Sequence, residues 1–128
     1  MSDDSSPRVV VADDLNALRK LASALLKSLG CQVVGEARNG LEAVELFKQY
    51  RPDLILLDIE MPEMNGVEAL EKIIEADADA AVVMLTGLDD QDVVEKCILI
   101  GAKDFLRKDL GPQEMKLRLA EKLANLSG

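Results

Sequence analysis

The sequence predicts a doubly wound α/β domain, a five-stranded parallel sheet with helices on both faces. Short apolar runs such as residues 54–57 show no polar alternation, as expected of strands buried on both sides. These runs alternate with longer stretches whose apolar residues recur at helical spacing. With 128 residues and 48% apolar side chains, the chain can build one real core but not two.

Residues 1–7 are polar and read as a disordered tail ahead of a domain at 8–126. The first strand follows Arg8 and runs into acid twice, at Asp13 and Asp14. A helix over 15–29 carries Leu15, Leu18, Leu21, Ala22, Leu25, Leu26 and Leu29 on one stripe, and Gly30 closes it. Residues 31–37 form a second strand around Val33 and Val34. Asn39-Gly40 then opens a helix with Leu41, Val44 and Phe47, which stops at Arg51-Pro52. The central strand, 54–57, runs straight into Asp58.

A loop must follow, because Pro62 disfavours helix at Met61 and Asn65-Gly66 marks a turn or helix start. A third helix over 65–76 bears Val67, Leu70, Ile73 and Ile74. The fourth strand, 81–85, ends in Thr86-Gly87, and a helix over 89–100 carries Val93, Val94, Cys97 and Ile98. A short strand at 104–107 ends at Lys108-Asp109. The last helix, 112–126, has Pro112 in its first turn and Met115, Leu119, Leu123 and Leu126 spaced for burial.

Composition narrows the function. A net charge of −9 argues against a nucleic-acid or anionic-membrane surface, which would need clustered Lys and Arg. The chain has no histidine, which removes zinc sites of the His type and Ser-His or Cys-His catalysis. Cys31 and Cys97 sit far apart in apolar company and read as reduced core residues. With no membrane-length apolar run and no signal-peptide core, a cytoplasmic protein without membrane insertion is expected.

The strand ends carry the chemistry. Asp13 and Asp14 follow the first strand, Asp58 the third, Thr86 the fourth and Lys108 the fifth. Singly, each could be a turn or cap residue. Together they put polar groups at every strand end that borders the crevice where open α/β sheets bind ligands. Three neighbouring carboxylates cannot all ionise uncompensated. A hard cation such as Mg²⁺, with few carboxylates and phosphate oxygens as ligands, solves this. Lys108 and Thr86 suit phosphoryl oxygens, and Asp58 could then attack phosphorus in line to give an acyl phosphate.

On these residues the chain resembles the receiver domain of two-component response regulators, of the chemotaxis-regulator kind, over 8–126. The matching pieces are Asp13-Asp14, Leu56-Leu57-Asp58 with Met61-Pro62 and Gly66, Thr86, Gly101-Ala102-Lys103-Asp104-Phe105, and Lys108. The resemblance implies a flavodoxin-like (βα)5 fold with strand order 2-1-3-4-5. It implies Asp58 as phosphoacceptor, and Asp13, Asp14, Asp58 and the Glu60 backbone carbonyl as Mg²⁺ ligands. Thr86 and Lys108 would hold the phosphoryl group, with Thr86 and Phe105 as the switch pair. The implied donor is a sensor histidine kinase or a histidine phosphotransfer protein. The implied output is a protein partner or output domain met through the face of helix four, strand five and helix five. Lys96, Lys103, Arg107 and Lys116 would lie on or near that face. Such a domain is no enzyme beyond its own phosphorylation and dephosphorylation, and it makes no direct nucleic-acid contact.

The sequence departs from that pattern in places. Asp109 stands where such domains usually have a proline joined through a cis peptide, and its carboxylate could compete with phosphate for Lys108. Phe105 replaces the commoner tyrosine. Glu60 and Leu88 occupy positions that influence the attack of water on the acyl phosphate. Two other functions compete: a pseudo-receiver that binds proteins with Asp109 blocking the site, and a Mg²⁺-dependent phosphohydrolase with Glu60 as acid/base. A dinucleotide or flavin module is disfavoured, because Asp13-Asp14 stand where a glycine-rich loop would be.

Overall fold

The computed structural model describes residues 6–87 and 90–126. Strands and helices alternate as β1 (Arg8–Ala12), α1 (Asn16–Ser28), β2 (Gln32–Ala37), α2 (Gly40–Tyr50) and β3 (Leu54–Asp58). They continue as α3 (Gly66–Ala76), β4 (Val82–Thr86), α4 (Gln91–Ile100), β5 (Asp104–Arg107) and α5 (Pro112–Leu126). The five strands form one parallel sheet in the order β2-β1-β3-β4-β5, the order the resemblance implied. Because the chain reverses direction across the sheet after β2, the carboxyl ends of β1, β3 and β4 line one crevice.

Strand alternation divides the core into two layers. Val10, Ala12, Ile55, Leu57, Val82 and Met84 face Phe47 of α2, Leu70 and Ile73 of α3, and Cys97 of α4. Val9, Val11, Leu54, Leu56, Val83 and Leu85 face Leu26 of α1 and Met115 and Leu119 of α5. Every residue of β3 and β4 is buried, which is why neither strand shows polar alternation. At about 1.5–3 kcal/mol for each large aliphatic side chain buried, these layers dominate the stability. Both cysteines are buried and unpaired, and burial pushes both thiols up in pKa.

Several side chains differ from expectation. Leu15 caps α1 from outside the helix and is 52% exposed, so it does not join the buried stripe. Leu18, Leu21, Leu25 and Leu29 pack half-buried against the core as expected, and the fully buried residues of α1 are Arg19, Ala22, Ser23 and Leu26, one charge and one hydroxyl among the four. Leu41 of α2 and Ile98 of α4 are also exposed, because α2 buries its Gly40-Ala43-Val44-Phe47 side and α4 buries only Cys97 fully. β4 extends to Thr86, which remains in register with Arg107 of β5. The expected tail largely falls outside the described residues, but the Pro7 carbonyl accepts from the Gln32 N–H at 2.8 Å and so joins the packed unit. Leu88, and the expected start of the fourth helix at Asp89, lie outside the described residues.

Candidate functional site

The crevice is held open by main-chain contacts that sequence spacing alone does not reveal. Asn65 and Glu68 form a capping box at the start of α3, each side chain serving the other's backbone N–H. Gly66 then packs so tightly that a Cβ there would lie 2.0 Å from the Asp58 carbonyl oxygen. Its N–H donates to the Ile59 carbonyl at 2.7 Å. Only glycine lets the start of α3 press against the tip of β3, and that contact fixes Asp58. On the other side, the Gly40 N–H donates to the Met64 carbonyl at 2.8 Å and ties the loop after β3 to α2.

Asp58 ends β3 and is buried. Its Oδ2 accepts from Lys108 Nζ at 3.0 Å. Asp13 is fully buried at the end of β1; its Oδ1 accepts from the Leu15 N–H at 3.0 Å. Asp13 Oδ2 makes no hydrogen bond, and the Lys108 ammonium lies 3.5 Å from it. Asp14 is exposed, yet one carboxylate oxygen each from Asp13, Asp14 and Asp58 lie within 4.8 Å of one another. Three acids therefore cluster, and Lys108 pairs with two of them, Asp13 and Asp58.

The electrostatics follow from that geometry. Burial pushes the Asp58 carboxyl up to about 7; the Lys108 hydrogen bond opposes this, and the charge of Asp13 adds to it. Burial also works against the Lys108 charge, but the hydrogen bond and charge of Asp58, with Asp13 behind them, outweigh it and raise its pKa. A divalent cation fits this donor set: it would satisfy the bare Asp13 Oδ2 and cancel the repulsion among the three acids.

The remaining expected residues divide between two neighbouring hollows. Asp58, Glu60, Gly87, Asp90, Lys108 and Asp109 line one of about 320 Å³. Thr86, Phe105, Arg107 and residues at the start of α4 line the other, of about 380 Å³. The buried Thr86 hydroxyl donates to the Leu106 carbonyl at 3.5 Å, toward β5 rather than Asp58. Phe105 is 43% exposed, so it is not core packing in this state. Asp109 does not compete for Lys108. Its two carboxylate oxygens accept from Arg107 at 3.0 and 2.8 Å. No peptide among the described residues is cis, so Lys108–Asp109 is trans.

Sequence reasoning missed Arg19. Its guanidinium is buried and donates to the Asp13 carbonyl at 2.9 Å. The readable signal was an arginine standing three, four and seven residues before buried positions of its own helix.

The fold is thus a doubly wound α/β module with a carboxylate cluster and a lysine at its switch-point crevice. Residues 9–120 match the family model for the response regulator receiver domain, and the chain belongs to that family. Receiver domains are signalling domains whose general function is a phosphorylation-dependent switch. The chain is 38% identical to the chemotaxis protein CheY of Thermotoga maritima over 108 residues, covering 84% of this chain and 90% of that protein. Among solved structures, the response regulator domain of Thermotoga maritima CheB superposes with a TM-score of 0.85 at 34% identity, over 94% of this chain and 96% of that one. The CheX-CheY-BeF3-Mg complex from Borrelia burgdorferi matches with a TM-score of 0.85 at 29% identity, over 94% and 89%. Among the described residues, no helix is long and apolar enough to cross a membrane.

Proposed function

We propose that this chain is a phosphorylation switch that accepts a phosphoryl group on Asp58. One observation carries the reading: the buried Asp58 carboxylate lies 3.0 Å from the Lys108 ammonium, inside the acid cluster with Asp13 and Asp14. An Asp58 oxygen forms the new bond to phosphorus as the bond from phosphorus to the donor's imidazole nitrogen breaks, and that nitrogen takes up a proton. Lys108 leaves the Asp58 oxygen for a phosphoryl oxygen, and the Thr86 hydroxyl turns from Leu106 to donate to another. When held by Asp13, Asp14, Asp58 and the Glu60 carbonyl, Mg²⁺ supplies the charge that lets acids and phosphate approach each other.

The donor is a sensor histidine kinase or a histidine phosphotransfer protein. Phosphorylation draws Thr86 inward, and the hollow it shares with Phe105 gives that ring room to follow. The face of α4, β5 and α5 then changes for a partner or output domain; Ile98, Leu99, Phe105 and Leu117 are the exposed large apolar side chains of these elements among the described residues. The functional unit spans residues 8–126. The pseudo-receiver alternative loses its support, because Asp109 is held by Arg107 and away from Lys108. The Borrelia complex, which pairs a receiver with BeF3 and Mg, supports the choice of probe.

Intact-mass spectrometry with Mg²⁺ and acetyl phosphate tests this. Gain of one phosphoryl group is expected for wild type, and none for Asp58→Asn or without Mg²⁺. Absence of both phosphoryl gain and beryllofluoride binding in wild type would sink the reading.

A further inference from the structure

We propose that Arg19 is the positioning residue of the acid pair, setting the Asp13–Asp14 main chain through the Asp13 carbonyl, with Glu36 as the counter-charge. The proposal rests on Asp13 and Asp14 being metal ligands. Arg19 leaves only 7% of its side chain exposed, a costly place for a charge, and it uses its fork fully. Nη1 donates to the Asp13 carbonyl at 2.9 Å, Nη2 to the Asn16 side chain, and Nε to Glu36 at 3.1 Å. A residue that merely stapled α1 to β2 would need the Glu36 bond alone.

The Asp13 carbonyl lies in the peptide plane that leads into Asp14. A directional bond on that oxygen therefore orients both acids at their shared backbone. The Leu15 N–H holds Asp13 Oδ1 from the other side, which leaves Oδ2 as the free oxygen facing the cluster. Arg19 thus acts on direction, while Leu15 acts on rotation.

A cation next to a cation site is a problem that Glu36 solves. Glu36 accepts from Arg19 and also pairs with Lys20 at 3.1 Å. Burial works to raise its pKa, but the bonds from Lys20 and Arg19 prevail and hold it below the usual carboxylate range. It therefore stays charged at neutral pH. The fork's geometry reaches the acid pair while Glu36, shared with Lys20, offsets part of its charge on the far side.

The experiment is a Mg²⁺ titration of the metal-free protein, followed through the amide NMR signals of Asp14 and Asp58, with thermal melts alongside. Arg19→Lys keeps the charge and loses the fork, and it is expected to weaken Mg²⁺ binding about 10- to 100-fold, the usual scale for a residue that orients a ligand. Glu36→Gln keeps the fork and uncovers the charge. Its weakening should be smaller and should fade with added salt, which the Arg19→Lys loss should not. Asn16→Ala, at an exposed position, loosens the fork without altering charge and should weaken binding several-fold even if Arg19→Lys folds poorly. Wild-type affinity in Arg19→Lys or Asn16→Ala, with only the melting temperature lowered, overturns the proposal in favour of a helix staple. Failure of wild type itself to bind Mg²⁺ overturns the metal reading beneath it, a separate and distinguishable result.

Discussion

The two ends of the sheet follow different rules. At the amino ends, charges meet their complements. The Arg8 N–H donates to Asp53 at 2.8 Å, its guanidinium donates to the carbonyls of Tyr50 and Arg51, and Lys122 pairs with Asp104 at 2.8 Å. At the carboxyl ends, three carboxylates cluster, the one ammonium pairs with only Asp13 and Asp58, and a buried oxygen of Asp13 has no hydrogen bond. Between the two ends the central strands are apolar, while α1 buries Arg19 and Ser23. The crowded carboxylates therefore sit at the rim where a ligand would relieve them, which separates what the fold requires from what function requires.

The largest effect should come from breaking the contact that builds the acidic rim. Gly66→Ala places a methyl 2.0 Å from the Asp58 carbonyl oxygen, so backbone must move. Urea unfolding should show a loss of about 3 kcal/mol, and the phosphoryl gain should fall with it. Next is Asp58→Asn, which should stabilise the protein. With the Asp58 carboxyl at about 7 in the fold and near 4 unfolded, the native state holds the extra proton between these pH values. Stability therefore falls as pH rises from 4 to 7. The variant should escape that loss, gaining on the order of 2 kcal/mol at pH 8 and little at pH 4, read from melts across pH.

At the matched end the same kind of change should have the opposite sign. Lys122→Met strands Asp104 and should cost about 1 kcal/mol in urea unfolding, with Mg²⁺ affinity unchanged. Smallest is Arg107→Ala. The exposed pair with Asp109 contributes less than about 0.5 kcal/mol, so melting should barely change. Freed from Arg107, Asp109 becomes a competitor for Lys108, and labelling by acetyl phosphate should slow in a mass-spectrometric time course.

The alternation of elements was legible because strands buried on both faces cannot hide polar residues and helices must keep one apolar stripe. Asp13, Asp14 and Asp58 were legible for a related reason, since they close apolar runs at the carboxyl end, whereas Lys108 was legible from its place just after the short fifth strand. Arg19 was not, because an arginine on a helix reads as a solvated charge unless its depth is known. Asp109 was misjudged for a different reason. It follows two cations in succession, and spacing cannot say whether it turns to Arg107 or Lys108. The packing of Gly66 on Asp58 depends on the path of a loop, which residue pattern does not set.

The bond between Lys108 and Asp58 joins residues fifty apart, and Asp13 directly follows the first strand. During synthesis the acids leave the ribosome first, and their only neutralising side chain arrives after the last strand has been made. Until then the growing chain carries mutual repulsion at the point where its strands must converge. Placing that lysine last means that an unfinished chain has the acids of the site without its base. The site thus gains its lysine only as the sheet is completed.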